Sequence, residues 1–213
     1  MKKKLLGFYD YTVVLTYCGM LIAFFGILRV ISQDYLRAVF CLLLAGVCDM
    51  FDGAVASTKD RKECEKNFGI QIDSLSDLIS FGVLPALFVY MISDKDVLVA
   101  LISSLFVLCA LIRLAYFNML ETERQRQTAE KRTSYLGVPV TVIAVFLPAV
   151  YLMYGHHICK SILGFPILLA LMGIGYLLPV EIKKPGILGK AVLIFLGVME
   201  ALEMLFSMGL AAV

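Results

Sequence analysis

Two pairs of aspartates stand in the sequence at spacings that place each pair on one face of a helix. Asp49 and Asp52 are three residues apart, and Asp73 and Asp77 are four apart. On a helix, residues at these spacings are neighbours with Cβ atoms about 5–6 Å from each other. Carboxylate oxygens suit hard divalent cations such as Mg²⁺ or Mn²⁺. Four carboxylates that meet could hold two such ions, the arrangement that stabilises both oxygens of a phosphoryl displacement.

Small residues accompany both aspartate pairs. Gly53 and Ala56 continue the face of the first pair by one turn, and Gly69 lies shortly before the second pair. The lack of side-chain bulk at these positions lets a large polar ligand approach the backbone. We also expect Asp73 to lie in the first turns of its helix, whose amide end favours a phosphate or pyrophosphate. The alternative is that the aspartates only cap helix ends or are solvated, which does not account for the accompanying glycines.

Membrane helices must position these aspartates, because the chain has the composition of a membrane protein. Its 213 residues are 61% hydrophobic, and the mean hydropathy is +0.89. Charged residues collect between apolar stretches of about 20 residues, the length of a membrane-spanning helix. We therefore predict an all-α, polytopic membrane bundle of about six to seven helices, in a single domain that covers residues 1–213. The predicted spans are roughly 10–31, 36–57, 72–92, 97–119, 136–155, 161–180 and 188–210.

Basic residues indicate how these helices are oriented. They cluster before the first span and in every second loop, whereas the connections "ISQDYLR", "SDKD" and "GHHICK" carry few. The positive-inside rule places basic loops in the cytoplasm. We therefore expect a multi-pass protein of the cell membrane with its N-terminus and its aspartates on the cytoplasmic side. The basic clusters are Lys2, Lys3 and Lys4; Lys59, Arg61, Lys62 and Lys66; Arg124, Arg126, Lys131 and Arg132; and Lys183, Lys184 and Lys190.

The aspartates and their neighbours resemble the signature of the CDP-alcohol phosphotransferases, written D-x-x-D-G-x-x-A-R, a spacer, then G-x-x-x-D-x-x-x-D. The chain has "DMFDGAVAS" over residues 49–57 and "GIQIDSLSD" over residues 69–77. Every fixed position agrees except Ser57, which stands where the family usually has arginine. The spacer is also about three residues longer than usual. The candidates to supply the missing charge are the basic residues of that spacer, Lys59, Arg61 and Lys62.

This resemblance implies a membrane enzyme that moves a phosphatidyl or similar group from a CDP-linked donor to an alcohol and releases CMP. It implies two divalent cations, Mg²⁺ or Mn²⁺, with the metal ligands Asp49, Asp52, Asp73 and Asp77. Asp77 would also be the general base that takes the proton of the acceptor. The nucleotide would lie against Asp49, Asp52, Gly53, Ala56 and Gly69. Members of the family generally dimerise, so the resemblance also implies a homodimer.

Other segments resemble the phosphatidylserine synthase branch of that family. They are "DSLSDLISFGVLPA" (73–86), "RLAYFN" (113–118) and "YLGVPVT" (135–141). The implied donor is CDP-diacylglycerol and the implied acceptor is L-serine. An alcohol is a poor nucleophile, so a carboxylate within hydrogen-bond reach must accept its proton. The same chemistry with another alcohol, such as inositol phosphate or glycerol phosphate, is the alternative.

A serine acceptor brings a carboxylate, which needs a cationic partner. Arg113 lies deep in the fourth span, and an ionisable residue in a membrane helix is a functional candidate by default. The alternative for Arg113 is that its side chain extends to the nearby membrane surface. Arg132 is a second candidate. Asn118 either binds a substrate or caps a helix end.

A divalent-cation transporter is the competing class of function, since it also places acidic residues in helices. Transporters keep such carboxylates near mid-membrane on interrupted helices. Here a basic loop and glycines lie beside them, which favours the enzyme. We expect no nucleic-acid partner. Interhelical hydrogen bonds or a dimer contact, rather than catalysis, are expected for Glu200 and Glu203, and an interfacial position rather than metal binding for His156 and His157.

Overall fold

The protein is a helical membrane bundle, as the sequence predicts. The computed structural model describes residues 6–127, 134–158, 161–183 and 187–210, and within them one pair of three-residue strands is the only β structure. Five helical segments are long and apolar enough to cross a membrane, and two apolar helices are shorter. The elements are α1 (Val14–Ile31), α2 (Tyr35–Ala56), α3 (Glu63–Asp77), a π-helical segment (Leu78–Val83), α4 (Leu84–Ile92), α5 (Val97–Gln127), β1 (Ser134–Leu136), a 3₁₀ turn (Val140–Val142), α6 (Ile143–Gly155), α7 (Gly164–Leu177), β2 (Glu181–Lys183) and α8 (Ile187–Leu210).

A tight turn makes α1 and α2 antiparallel neighbours. Asp34 caps α2, because its carboxylate accepts a hydrogen bond from the backbone amide of Arg37 at 3.3 Å. This satisfies one of the amides that a helix start leaves without a partner. The two helices pack closely at Gly26, where an added Cβ would stand 3.0 Å from the Cβ of Cys41. The pairing brings the beginning of α1 beside the end of α2, where the first two aspartates lie.

The helix that carries Asp73 begins earlier than the sequence indicates. We expected a span over about 72–92, but α3 begins at Glu63 and continues through the π-helical segment into α4. A capping interaction starts it, in which the Lys62 backbone amide donates to the Glu65 carboxylate at 2.8 Å. The first turns are too polar for a hydropathy pattern to include. Asp73 therefore lies about three turns inside the helix, and the expectation that it sits beside the amide end is wrong.

The π-helical segment Leu78–Val83 follows directly after Asp77. Pro85 lies in the first turn of α4 and has no amide hydrogen to donate to the turn before it. A widened turn at this place accommodates the missing bond, and such turns are frequent at functional sites. Within the segment Ser80 and Phe81 are buried, with 2% and 1% of their surface exposed. The wide turn thus fixes the orientation of α3 just beyond the second aspartate pair.

Helix α5 is longer than its predicted span of about 97–119. It runs to Gln127, a length of about 46 Å, which exceeds the roughly 30 Å hydrocarbon core. The extra turns are polar and therefore leave the apolar stretch. They bring Thr122 and Arg124 to the same end of the bundle as the aspartates.

The strands β1 and β2 pair antiparallel and tie two distant loops together. Their register places Tyr135 opposite Ile182. The turn after β1 needs a glycine, because Gly137 has φ +74 and an added Cβ would lie 3.1 Å from the Tyr176 carbonyl oxygen. The loops before α6 and before α8 therefore lie on one side of the bundle. We did not predict these strands, since three residues give too short an alternating pattern.

An aromatic cluster closes the bundle at the end opposite the aspartates. The Phe88 ring packs edge-on against Tyr35, Tyr151 and Phe165, with ring centroids 5.5, 5.7 and 6.0 Å away. Edge-to-face contacts of this kind add to the stability that burial of the rings provides. The Tyr35 hydroxyl donates to the Met91 carbonyl oxygen at 3.0 Å. This end is thus a packed core, whereas the aspartate end contains the cavities described next.

Candidate active site

All four aspartates of the two pairs meet between α2 and α3. Asp49, Asp52 and Asp73 each present a carboxylate oxygen, and these three atoms lie within 4.8 Å of one another. The side chain of Asp77 lies against that of Asp49, and Asp52 lies against Asp73. The helical spacing and the antiparallel arrangement expected from the sequence produce this cluster. We refer to these four residues as the aspartate cluster.

Helix α1 provides the third side of the aspartate cluster. The Thr16 hydroxyl donates to a carboxylate oxygen of Asp52 at 3.1 Å. The backbone carbonyl of Thr16 in turn accepts a hydrogen bond from the Ser76 hydroxyl at 3.3 Å. We did not single out Thr16, although its spacing of four from Thr12 at the start of an apolar span was an available signal. Its role depends on the packing of α1 against α2 and α3, which spacing within one helix does not reveal.

The donor atoms of the aspartate cluster fit a divalent cation. They are carboxylate oxygens, the ligands of hard ions. Four carboxylates packed together repel one another unless positive charge lies among them. In the described part of the chain the lysine and arginine ion pairs lie elsewhere and none includes these four residues. A cavity of about 10 Å³, close to the size of one water, lies among all four and Thr16.

A larger cavity opens from the aspartate cluster. Its volume is about 590 Å³, which lies within the usual range for small-molecule sites. The space in front of Gly53 is open, with no atom within 4 Å of an added Cβ. The cavity is therefore large enough for a polar ligand that extends away from the carboxylates. It is lined by Thr12, Val13, Thr16, Asp52, Gly53, Ala56, Arg61, Glu63, Lys66, Asn67, Gly69, Ile70, Asp73, Thr122 and Arg124.

Basic side chains stand in the wall of this cavity, and they differ in their partners. Arg124 forms a two-pronged ion pair with Glu121, with nitrogen–oxygen distances of 3.0 and 2.5 Å. Arg61 lies against α3 instead, and its Nη1 is 2.9 Å from the place where a Cβ on Gly69 would stand. A side chain at Gly69 would therefore displace the guanidinium of Arg61. The sequence did not predict the positions of Thr122 and Arg124, because it did not predict the extension of α5.

Residues 6–13, which we name the N-terminal strap, cross the aspartate end and are fixed to the loop after α2. Lys59 Nζ lies 2.7 Å from a carboxylate oxygen of Asp10. Hydrogen bonds from Lys59 and Thr12 lower the pKa of Asp10 to about 2, and the bond with Asp10 raises the pKa of Lys59. The Phe8 ring also packs against Phe68, with centroids 5.2 Å apart. Thr12 and Val13 thereby become part of the cavity wall.

Asn118 contacts α3 beside Asp73, and neither Asn118 nor Arg113 lines the large cavity. The Asn118 side chain accepts a hydrogen bond from the Ser74 hydroxyl at 2.7 Å. Because α5 continues to Gln127, Asn118 does not cap a helix end. Arg113 is only 8% exposed, so its side chain does not extend along a membrane surface. Arg132 lies outside the described residues.

At the opposite end of the bundle, Glu203 of α8 contacts the imidazole Nε2 of His156, which follows α6. Both side chains are partly exposed. Glu200 is buried one turn earlier on α8, and its Oε2 has no hydrogen-bond partner among the described residues. Of the two expected roles for Glu203, an interhelical contact is therefore the observed one. We refer to His156 and Glu203 as the outer pair.

Comparison with known proteins identifies relatives of most of the bundle. The sequence model of the family described as CDP-alcohol phosphatidyltransferase matches residues 11–181. The chain is 33% identical over 147 residues to the CDP-diacylglycerol–serine O-phosphatidyltransferase of Saccharomyces cerevisiae, covering 63% of this chain and 52% of that protein. It is 33% identical over 151 residues to the archaetidylserine synthase of Methanothermobacter thermautotrophicus, covering 70% and 61%.

A third relative aligns over more of its length. It is the CDP-diacylglycerol–serine O-phosphatidyltransferase of Methanocaldococcus jannaschii, which is 29% identical to this chain over 184 residues. The alignment covers 86% of this chain and 76% of that protein. The chain thus spans about half of the yeast protein and about three quarters of this one. The family match includes the cluster, the cavity wall and the strap from Tyr11 onward.

Proposed function

The chain belongs to the CDP-alcohol phosphatidyltransferase family, and from that premise we propose that it transfers the phosphatidyl group of CDP-diacylglycerol to L-serine, giving phosphatidylserine and CMP. The observation that carries the proposal is the meeting of all four motif aspartates beside a cavity of about 590 Å³. The names of the relatives support serine as the acceptor. Family membership favours this enzyme over a cation transporter.

We propose that the aspartate cluster holds two divalent cations, Mg²⁺ or Mn²⁺. The ligands would be Asp49, Asp52, Asp73 and Asp77, whose oxygens have the chemistry of such a site. Bound cations would neutralise the charge of the donor diphosphate as CMP leaves. Thr16 keeps one Asp52 oxygen in place through its hydroxyl. The chain therefore supplies an ordered set of oxygens before any ligand arrives.

Asp77 is the proposed general base. The serine hydroxyl oxygen forms a bond to the phosphorus that carries diacylglycerol, and the bond from that phosphorus to the bridging oxygen of CMP breaks. The hydroxyl proton passes to the Asp77 carboxylate, because an unassisted alcohol is too weak a nucleophile. The π-helical segment begins at the next residue, Leu78.

The proposed nucleotide site consists of Asp49, Asp52, Gly53, Ala56 and Gly69. The open space at Gly53 supports it, since a bulky cytidine needs close approach to the backbone. For the serine carboxylate we propose Arg113, Asn118 and Arg132. The hydrogen bond between Asn118 and Ser74 supports this role, because Ser74 is adjacent to Asp73.

We further propose a single-domain, multi-pass protein of the cell membrane that acts at the cytoplasmic side and forms a homodimer. The positive-inside pattern supports the orientation. The pairing of β1 with β2 supports it too, because it joins two of the basic loops on one side of the bundle. The lipid donor then reaches the cavity from the surrounding bilayer.

The test is an assay of CMP release by the purified protein. The assay mixture contains CDP-diacylglycerol and either Mg²⁺ or Mn²⁺. One alcohol is added at a time from a panel of serine, inositol phosphate and glycerol phosphate. We expect release with serine and formation of phosphatidylserine. Release with only another alcohol would assign a different acceptor, and no release with any alcohol would overturn the proposal.

A further inference from the structure

The loop between α2 and α3 carries three basic residues, and they are not equivalent. Lys59 is held by Asp10 at 2.7 Å and by Glu65 at 3.6 Å. Lys62 is exposed and its backbone starts α3. Only Arg61 of the three lines the large cavity. Of the basic residues that precede α3, Arg61 is therefore the one that reaches the cavity, and Lys66 reaches it from α3 itself.

Arg61 packs in the cavity wall without forming an ion pair to a described residue. It is partly buried, and its guanidinium lies over the backbone of Gly69. Neither an ion pair nor a hydrogen bond joins its side chain to a described residue. Arg124 in the same wall is already paired with Glu121. A guanidinium in such a position presents its donors to an anion within the cavity, since its fork geometry matches phosphate.

The position of Arg61 relates it directly to the aspartate cluster. Gly69, which it covers, is four residues before Asp73 on α3, so the two lie on one helix face about 6 Å apart along the axis. Asp73 and Arg61 both line the same cavity. A group with two linked phosphates could therefore contact cations at the cluster and the guanidinium together.

Ser57, where the family motif has arginine, does not supply this charge. Its hydroxyl donates to the Ala54 carbonyl oxygen at 2.7 Å, its side chain is exposed, and it is not part of the cavity wall. We propose that Arg61 binds the diphosphate of the nucleotide donor and takes over the charge that is missing at Ser57. This inference rests on the proposed function, because it assumes a CDP-linked donor.

The first experiment compares Arg61→Ala with Lys62→Ala, which removes a neighbouring charge outside the cavity. For Arg61→Ala we expect the KM for CDP-diacylglycerol to rise about 10- to 100-fold, the range for a lost hydrogen bond to a charged group. The KM for serine should stay within about twofold and Arg61→Lys should recover part of the loss. Lys62→Ala should match the wild type. An unchanged KM for the donor, or a rise only in the KM for serine, would overturn the proposal.

The second experiment is rescue from the motif position. Ser57 directly follows α2 and is next to Ala56, which lines the cavity. An arginine side chain is long enough to extend from that position toward the same space. Ser57→Arg in the Arg61→Ala background should restore donor affinity. The thermal midpoints of all variants exclude misfolding as the cause. Failure of this rescue, with Ser57→Arg folded, would show that the two positions do not share a role.

Direct binding separates this inference from the acceptor assignment. The measurement is equilibrium binding of CDP-diacylglycerol in detergent micelles, with Mg²⁺ and without any alcohol. Because no acceptor is present, an effect of Arg61 on this affinity reports its contact with the donor. Weaker binding by Arg61→Ala would support the inference even if CMP release proves to need another alcohol. Binding equal to that of the wild type would overturn it even if serine is the acceptor.

Discussion

The bundle places acidic side chains at both of its ends, and the two groups have different partners. At one end the aspartate cluster packs carboxylate against carboxylate, with Thr16 as a hydroxyl partner. At the other end Glu203 meets the chain's own imidazole at His156. A carboxylate withdrawn from water needs a compensating partner; the four aspartates are half-buried, whereas Glu203 is 40% exposed. The difference indicates that the outer pair is complete by itself, whereas the aspartate cluster is suited to cations from solution.

The largest difference between the aspartate cluster and the outer pair should appear in the effect of their variants on turnover. Asp77→Asn keeps the size of the side chain but removes the base, so we expect the rate of CMP release to fall at least about 100-fold while CDP-diacylglycerol still binds. Steady-state kinetics and micelle binding measure the two effects. Glu203→Gln is the matched control at the other end, and it should keep the wild-type rate. Full activity of Asp77→Asn would remove it as the base.

The residues of the site also differ in whether the sequence could predict them. The meeting of the four aspartates follows from spacing within helices and from a short connection, so local rules suffice. Thr16 reaches the site through a contact between helices that no spacing encodes. The sequence named Arg61 with Lys59 and Lys62, but only the fold shows which of the three lines the cavity. Thr122 was missed because hydropathy shows where the apolar stretch ends, not where the α5 backbone ends.

The early start of α3 was missed for the same reason. Residues 63–72 are too polar to join an apolar span, yet the cap formed by Glu65 begins the helix there. The π-helical turn after Asp77 involves both Pro85, which lacks an amide hydrogen, and the burial of residues within the turn. Sequence therefore predicted which aspartates come together, while the surrounding wall needed the fold.

Metal binding should stabilise the protein through the aspartate cluster and not through the opposite end of the bundle. A ligand at about 100 times its Kd stabilises a folded protein by about 2.7 kcal/mol, so saturating Mn²⁺ should raise the thermal midpoint by several degrees. Asp52→Asn should reduce this shift, because it removes a proposed metal ligand from the aspartate cluster. The shift is measured in detergent without donor or acceptor.

Glu200→Gln is the control for that measurement. It neutralises a buried carboxylate at the opposite end of the bundle and should leave the Mn²⁺ shift unchanged. An equal loss of the shift in both variants would mean that Mn²⁺ acts on the bundle without binding at the aspartate cluster.

A smaller effect is expected from breaking the outer pair. His156 and Glu203 are 59% and 40% exposed, and ion pairs at such exposure contribute about 0–1 kcal/mol. A double-mutant cycle with His156→Gln and Glu203→Gln should give a coupling energy in that range from thermal unfolding. Turnover should not change in either variant. A large loss of turnover would place the outer pair in the same functional unit as the aspartate cluster.

The smallest effect concerns the pH dependence of the N-terminal strap. The pKa of Asp10 is lowered from its ordinary 3.8 to about 2, so its contribution to stability is present above pH 3.8 and is lost as the pH falls toward 2. The pKa of Lys59 is raised from 10.5, so its contribution is complete below pH 10.5 and declines above the raised value. Between about pH 5 and 9 the contact is therefore constant.

Asp10→Asn should accordingly lower turnover by at most a few fold, because an ion pair near the surface contributes little. Its pH–rate profile should run parallel to that of the wild type from about pH 5 to 9, since neither Asp10 nor Lys59 titrates there. Thr12→Val is the matched variant, as it removes one hydrogen bond to Asp10 and keeps the Lys59 contact. A profile that changes shape in Asp10→Asn would mean that the strap takes part in a proton transfer, whereas a parallel profile assigns the pH dependence to groups other than the strap pair.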